Sequence, residues 1–216
     1  MLLQRPVFPT MKAKPKIILT ALLGVLWAGI AVTGGHALLK YENSPGTVGK
    51  VAWSWPPDSP VQLANDCPTL VMAAHPQCPC TRASVAELAQ LMARVRGKVH
   101  AYVLFYSPRE SGDDWENTDL RRTAAQIPGV TVLSDIDGAE AQRLGAETSG
   151  HAFLFDPTGR LLFNGGITAS RGHVGNNAGE SAIVSLINDH ASKRSQTFVF
   201  GCSLKNRAQD GVKCLK

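Results

Sequence analysis

The chain has 216 residues, enough for one domain of ordinary size with appendages and a core that needs no staple. Its net charge is +5, yet residues 1–40 hold Arg5, Lys12, Lys14, Lys16 and Lys40 and no acid, so residues 41–216 carry 17 Lys+Arg against 17 Asp+Glu. The basic excess belongs to the N-terminal segment, and the reading is one with no nucleic-acid partner.

Residues 1–16 read as a basic cytoplasmic N-terminus. From Ile17 to Leu39 no residue is Lys, Arg, Asp or Glu, and about 20 apolar residues suffice to cross a bilayer as a helix. The preceding positive charges predict a single-pass signal anchor over 17–39, with the N-terminus inside and the rest exported. A cleaved signal peptide is the rival, because Gly35-His36-Ala37 ends in small residues, although no A-x-A site closes the run, and a buried soluble helix is the third reading. Residues 40–63 read as a tether, with Pro45-Gly46, Trp53-Ser54-Trp55-Pro56-Pro57 and Ser59-Pro60 keeping it extended.

The domain is expected over 64–195, followed by a tail, 196–216, that carries Cys202 and Cys214. Thr69–Ala74 reads as a buried parallel strand. Val85, Leu88, Met92 and Val95 then recur at helical spacing as far as Gly97. Val99–Phe105 is a second strand, Trp115–Ile127 a polar surface helix ended by Pro128-Gly129, Val130–Leu133 a third strand, and Asp137–Leu144 a short helix. Ala152–Phe155 and Leu161–Phe163 form a hairpin around Asp156-Pro157-Thr158-Gly159. After a Gly/Asn-rich loop, Ile183, Val184, Ile187 and Ala191 mark one face of a last helix. The order β-α-β-α-β-α-β-β-α predicts an α/β fold with a mixed sheet flanked by helices.

Between the first strand and its helix stands His75-Pro76-Gln77-Cys78-Pro79-Cys80-Thr81-Arg82. A helix N-terminus stabilises a thiolate there, and Arg82 adds a positive charge nearby. Residues i and i+2 of a regular helix point to nearly opposite sides, so a Cys78–Cys80 pair needs one non-helical member. Cys78 as N-cap with Pro79 at the first helical position supplies it. The functional reading is thiol–disulfide exchange with Cys78 as nucleophile and Cys80 as its partner. A static disulfide, two buried thiols and metal binding are the alternatives, since two soft thiolates also suit Cu(I). His75 and His151 are candidate auxiliaries. Cys202 either reaches back as a resolving thiol, pairs with Cys214, or stays free, and Cys67 reads as a buried or unpaired thiol. Five cysteines in an exported domain fit an oxidising compartment.

The element order and the cysteine motif resemble the thioredoxin-like superfamily, and residues 130–166 look like its peroxiredoxin/TlpA-like branch. More narrowly, PTLVMAAHPQCPCTRASVAEL, GGITASRGHVGNNAG and VFGCSL resemble bacterial membrane-anchored RedB-type proteins. The resemblance implies a domain in the periplasm or outside the cell, held at the bacterial inner membrane, with exported protein thiols and disulfides as partners and no cofactor. It also admits a Sco-like copper module, with Cys78, Cys80 and His173 as ligands, or a scaffold without turnover. Two departures stand out. The proline usual before the strand at Ala152 is replaced by Thr148-Ser149-Gly150-His151. The peroxidase pattern P-x-x-x-T-x-x-C is absent, since His75 and Gln77 occupy the threonine positions before Cys78 and Cys80.

Overall fold

The computed structural model describes residues 15–110 and 113–205, and the chain divides into two compact units after Tyr41. The first is formed by helix α1, Pro15–Glu42. It is apolar on all its faces and, at 1.5 Å per residue, about 40 Å long, so it can cross a hydrocarbon layer of about 30 Å.

The second unit runs in the order β1 (Thr69–Ala74), α2 (Pro79–Val95), β2 (His100–Ser107), α3 (Asp119–Ala125), β3 (Val130–Ile136), α4 (Ala139–Leu144), β4 (His151–Phe155), β5 (Leu161–Gly166) and α5 (Ala178–Asp189). The sheet order is β3-β2-β1-β4-β5. β1, β2 and β3 are parallel, and β4 is antiparallel to both β1 and β5. β1 is therefore central and covered on both faces, which is why it reads as an unbroken apolar run. Its alternate residues serve two cores. Leu70, Met72 and Ala74 meet Val85, Leu88, Leu91 and Ile183 from α2 and α5. Val71 and Ala73 meet Leu144 of α4, Phe153, Phe155 and Leu204. Four fully buried phenylalanines, Phe105, Phe153, Phe155 and Phe163, anchor these layers, each contributing about 1.5–3 kcal/mol by leaving water.

Three local features differ from the sequence reading. The polar helix expected over Trp115–Ile127 is split into a 3₁₀ turn, Asp113–Trp115, and α3, because the Thr118 hydroxyl accepts from the Arg121 amide and starts the helix there. The last helix stops before Ala191, where His190 takes a left-handed conformation. The Pro/Trp-containing segment is extended but fastened to the domain. Trp55 stacks edge-on against Phe155 at 5.1 Å, Val61 is buried in the second core, and the Gly46 amide donates to the Val199 carbonyl. Apolar side chains in that segment find a dry face, so it lies down rather than spanning open solvent.

After α5 the chain returns along the sheet edge. The Gly166 and Ser149 amides donate to the Phe198 and Cys202 carbonyls, and the Leu204 amide donates to the Glu147 carbonyl. Gly201 permits this approach, since a Cβ there would run into the Ser149 carbonyl. The tail thus delivers Cys202 to the head of β1.

Candidate functional site

Cys78 is the N-cap of α2, with φ −86° and ψ 119°, and Pro79 occupies the first helical turn. The extended N-cap breaks the helical period, so Cys78 and Cys80 face one another despite being two residues apart. Cys202 completes the group: the Sγ atoms of Cys78, Cys80 and Cys202 all lie within 4.8 Å of one another. All three are free thiols, Cys78 buried and the other two half-buried.

The electrostatics of the three are unequal. Hydrogen bonds from Cys202, then from Cys80, draw the Cys78 thiol far below the ordinary cysteine range; burial opposes them, and the Thr81 hydroxyl and the Cys202 amide add to the lowering. Cys202 is pushed up because it donates to Cys78 and then to Cys80. Cys80 is favoured for ionisation by Cys202, but its bond to Cys78, burial and the charge on Cys78 together raise it, with Arg171 acting against them. The negative charge therefore settles on Cys78, at the positive end of a 17-residue helix.

The floor of the site is hydroxyl-lined. Ser149 Oγ accepts from the His75 amide at 2.8 Å and shares a proton with Thr81 Oγ1 at 2.6 Å. The Gly150 amide donates to the Ala73 carbonyl, and the Ser149 amide donates to the Cys202 carbonyl at 2.8 Å. Ser149 belongs to the Thr148-Ser149-Gly150-His151 stretch that replaces the usual proline, with Thr81 bonded to it from α2, and no cis peptide occurs among the described residues.

His75 is buried, stacks on Tyr106 at 5.8 Å and meets the edge of Trp115 at the same distance. Its Nδ1 accepts from the Gln77 amide, so the ring is a turn clamp beside the thiolate; burial lowers its pKa, and the Cys78 charge works the other way. Arg82 turns away to an exposed ion pair with Asp119 at 2.8 Å. The cation that acts on Cys80 is Arg171, whose guanidinium donates to the Gly201 and Ser44 carbonyls. His151 is fully buried against Phe153, with neither ring nitrogen bonded and a pKa held down at about 3 by burial; it is not part of the sulfur group. His173 is exposed in the 165–179 loop and likewise outside the group. Cys67 precedes the other end of β1, beside Asp66 and His100, and Cys214 lies outside the described residues.

Sequence reasoning singled out Cys78 and Cys80 and left Cys202 among several roles. Thr81, Ser149 and the part played by Arg171 went unread. The one sequence signal for the third thiol was Gly201 before Cys202, a residue that permits close backbone approach.

No protein-family model and no curated protein matches this sequence. Among solved structures, the chain is similar to an uncharacterized conserved protein from Geobacillus kaustophilus, at 17% identity and TM-score 0.55, over 76% of this chain and 91% of that one. It is also similar to a hypothetical protein from Sinorhizobium meliloti, at 20% identity and TM-score 0.53, over 76% and 97%. A thioredoxin domain of a thiol-disulfide oxidoreductase from Bacteroides vulgatus matches at 14% identity and TM-score 0.43, over 67% and 99%. The mixed five-stranded sheet, with the β1–α2 turn at the head of its central strand, decides the fold. It is thioredoxin-like. At these identities the likeness concerns fold alone, and the chemistry rests on this chain's own sulfurs.

Proposed function

We propose that this chain is a membrane-anchored thiol–disulfide oxidoreductase of the RedB type, with Cys78 attacking disulfides of exported proteins. The observation that carries the reading is the trio of sulfurs at the start of α2, with the negative charge concentrated on Cys78. The Cys78 thiolate attacks one sulfur of the partner's disulfide. That bond breaks, a Cys78–partner bond forms, and the released partner thiolate takes a proton. Cys80 or Cys202 then attacks the Cys78 sulfur, freeing the partner's second thiol and leaving the chain oxidised by two electrons. The reverse sequence oxidises a dithiol partner, and the direction follows the partner's potential. Helix α1 would hold the domain at the outer face of a bacterial inner membrane, in the periplasm. No cofactor is required for this exchange.

The test is equilibration of the purified protein in glutathione redox buffers, with thiols counted by alkylation and mass mapping. The wild type should interconvert between a reduced form and one disulfide that includes Cys78. Cys78→Ser should lose exchange with oxidised glutathione and with disulfide-bonded protein substrates. Cycling that survives Cys78→Ser would refute the proposal, and a wild type that exchanges with neither oxidant would favour a scaffold without turnover.

A further inference from the structure

We propose that the reduced protein holds one copper(I) ion between the Sγ atoms of Cys78, Cys80 and Cys202. This goes beyond the exchange reading, and the two are separable, because exchange needs two sulfurs and a disulfide whereas the copper site needs three reduced sulfurs.

Geometry is the first support. A metal in a trigonal plane at a usual metal–thiolate length of about 2.3 Å requires its sulfurs about 4 Å apart. The three sulfurs are within 4.8 Å of one another, so a small contraction closes them on an ion. The donor set is the second. It is all thiolate, the softest ligand a protein offers, and soft thiolates select copper(I). Among the described residues no histidine or carboxylate joins the group. A closed structural zinc site takes four protein ligands, so three sulfurs without a fourth suit an ion content with trigonal coordination.

The frame is the third support. Cys78 and Cys80 are fixed by the first turn of α2, and Cys202 by the amide of Ser149 bonding to its carbonyl. Cys78 is 3% exposed, so the ion would be shielded on that side, while the half-buried Cys80 and Cys202 leave an entry path. Three thiolates and one monovalent ion leave a net negative charge. The α2 N-terminus and Arg171, whose charge acts on Cys80, offset it. Occupancy also displaces the protons of Cys80 and Cys202, so copper uptake should release acid. Oxidation of any two of the sulfurs removes the site, which makes copper occupancy and the disulfide state mutually exclusive. His173 is not needed.

The experiment uses the full chain in detergent, carrying Cys67→Ser and Cys214→Ser so that the trio supplies every thiol. The reduced protein is titrated anaerobically with copper(I) in competition with bicinchoninate. One copper per chain is expected, and the K-edge absorption spectrum should show three sulfur neighbours. Cys202→Ala should weaken binding at least about 100-fold, the upper end of what losing a mere supporting partner of a ligand costs, while His173→Ala should leave it unchanged. Two sulfur neighbours in the unsubstituted trio, or an unchanged affinity in Cys202→Ala, would overturn the site. The spectrum needs no variant of the trio, so it decides the matter even if Cys202→Ala misfolds. A chain that exchanges disulfides but leaves all copper with bicinchoninate refutes the copper site and leaves the exchange reading standing.

Discussion

Replacing His151 with leucine should stabilise the domain, and the gain should grow as pH falls. The ring is fully buried at the start of β4, 4.1 Å from the Phe153 ring by centroids, and both nitrogens lack a hydrogen-bond partner. Leaving a buried donor or acceptor unpaired costs about 1–3 kcal/mol each, and an apolar replacement of similar shape removes that cost. Repacking around the new side chain takes back up to about 1.5 kcal/mol. The net expected for His151→Leu at pH 7.5 is a gain of at least about 0.5 kcal/mol and, at the middle of these ranges, about 3 kcal/mol. The pH term is separate. Burial holds the folded-state pKa at about 3, against an ordinary 6.5. Below pH 6.5 the unfolded chain therefore binds a proton that the folded one refuses, and stability falls as pH falls, down to about 3. Between pH 7.5 and 5 the wild type should lose about 2 kcal/mol from this group alone. The leucine variant has no such group, so its advantage should be about 2 kcal/mol larger at pH 5 than at pH 7.5. Urea unfolding of a chain beginning at Glu42, kept reduced, at the two pH values measures both terms; contributions from other titrating groups cancel in the difference. A variant less stable than wild type at both pH values, or an advantage independent of pH, would refute the reasoning and mean that the imidazole has a partner.

Other outcomes follow from the same framework. Gly201→Ala should push the tail off the Ser149 carbonyl, withdraw the Cys202 thiol from Cys78 and raise the Cys78 pKa, read as an upward shift in the pH midpoint of alkylation. Ser149→Ala should leave the His75 amide without its acceptor and cost about 1–3 kcal/mol in denaturant unfolding. Glu87→Ala removes a buried carboxylate that accepts from the Gly175 amide and Asn177 Nδ2, and should cost about 2–4 kcal/mol, with hydrogen exchange rising first in the 165–179 loop. Arg82→Ala should leave the Cys78 alkylation profile unchanged, because its guanidinium faces Asp119.

The sequence was legible wherever the signal was local. β1 declared itself by an apolar run that both cores require, and the α2 N-cap by Cys78-Pro79, where the ring is tolerated and the period is broken. The hairpin was marked by its Asp/Gly turn, and Asp156 does accept from the Thr158 and Arg160 amides there. What stayed hidden depends on contacts far apart in the chain. Cys202 stands 122 positions beyond Cys80, and backbone bonds of the tail to distant residues, Glu147 and Ser149 among them, bring it home. Arg82 was the nearer cation by sequence, but on α2 it points to Asp119, whereas Arg171 arrives from the loop after β5. The boundary of α3 moved because a cap at Thr118 outweighed the weak helical pattern before it. Whether the tryptophans of the tether pack on the domain was open from the sequence, because nothing local shows that Phe155 offers Trp55 a surface.

The central claim is that Cys78 is a nucleophile held ionised by its neighbours, and one rate profile tests it. Reduced protein is mixed with oxidised glutathione across pH 4–9, and the initial rate of modification at Cys78 is followed by quenching and mass mapping. After correction for the reagent's own pH dependence, the rate should already be on its plateau at neutral pH, with its midpoint well below the ordinary cysteine value of about 8.5. A Cys78 rate that climbs with a midpoint at or above that value would contradict the account.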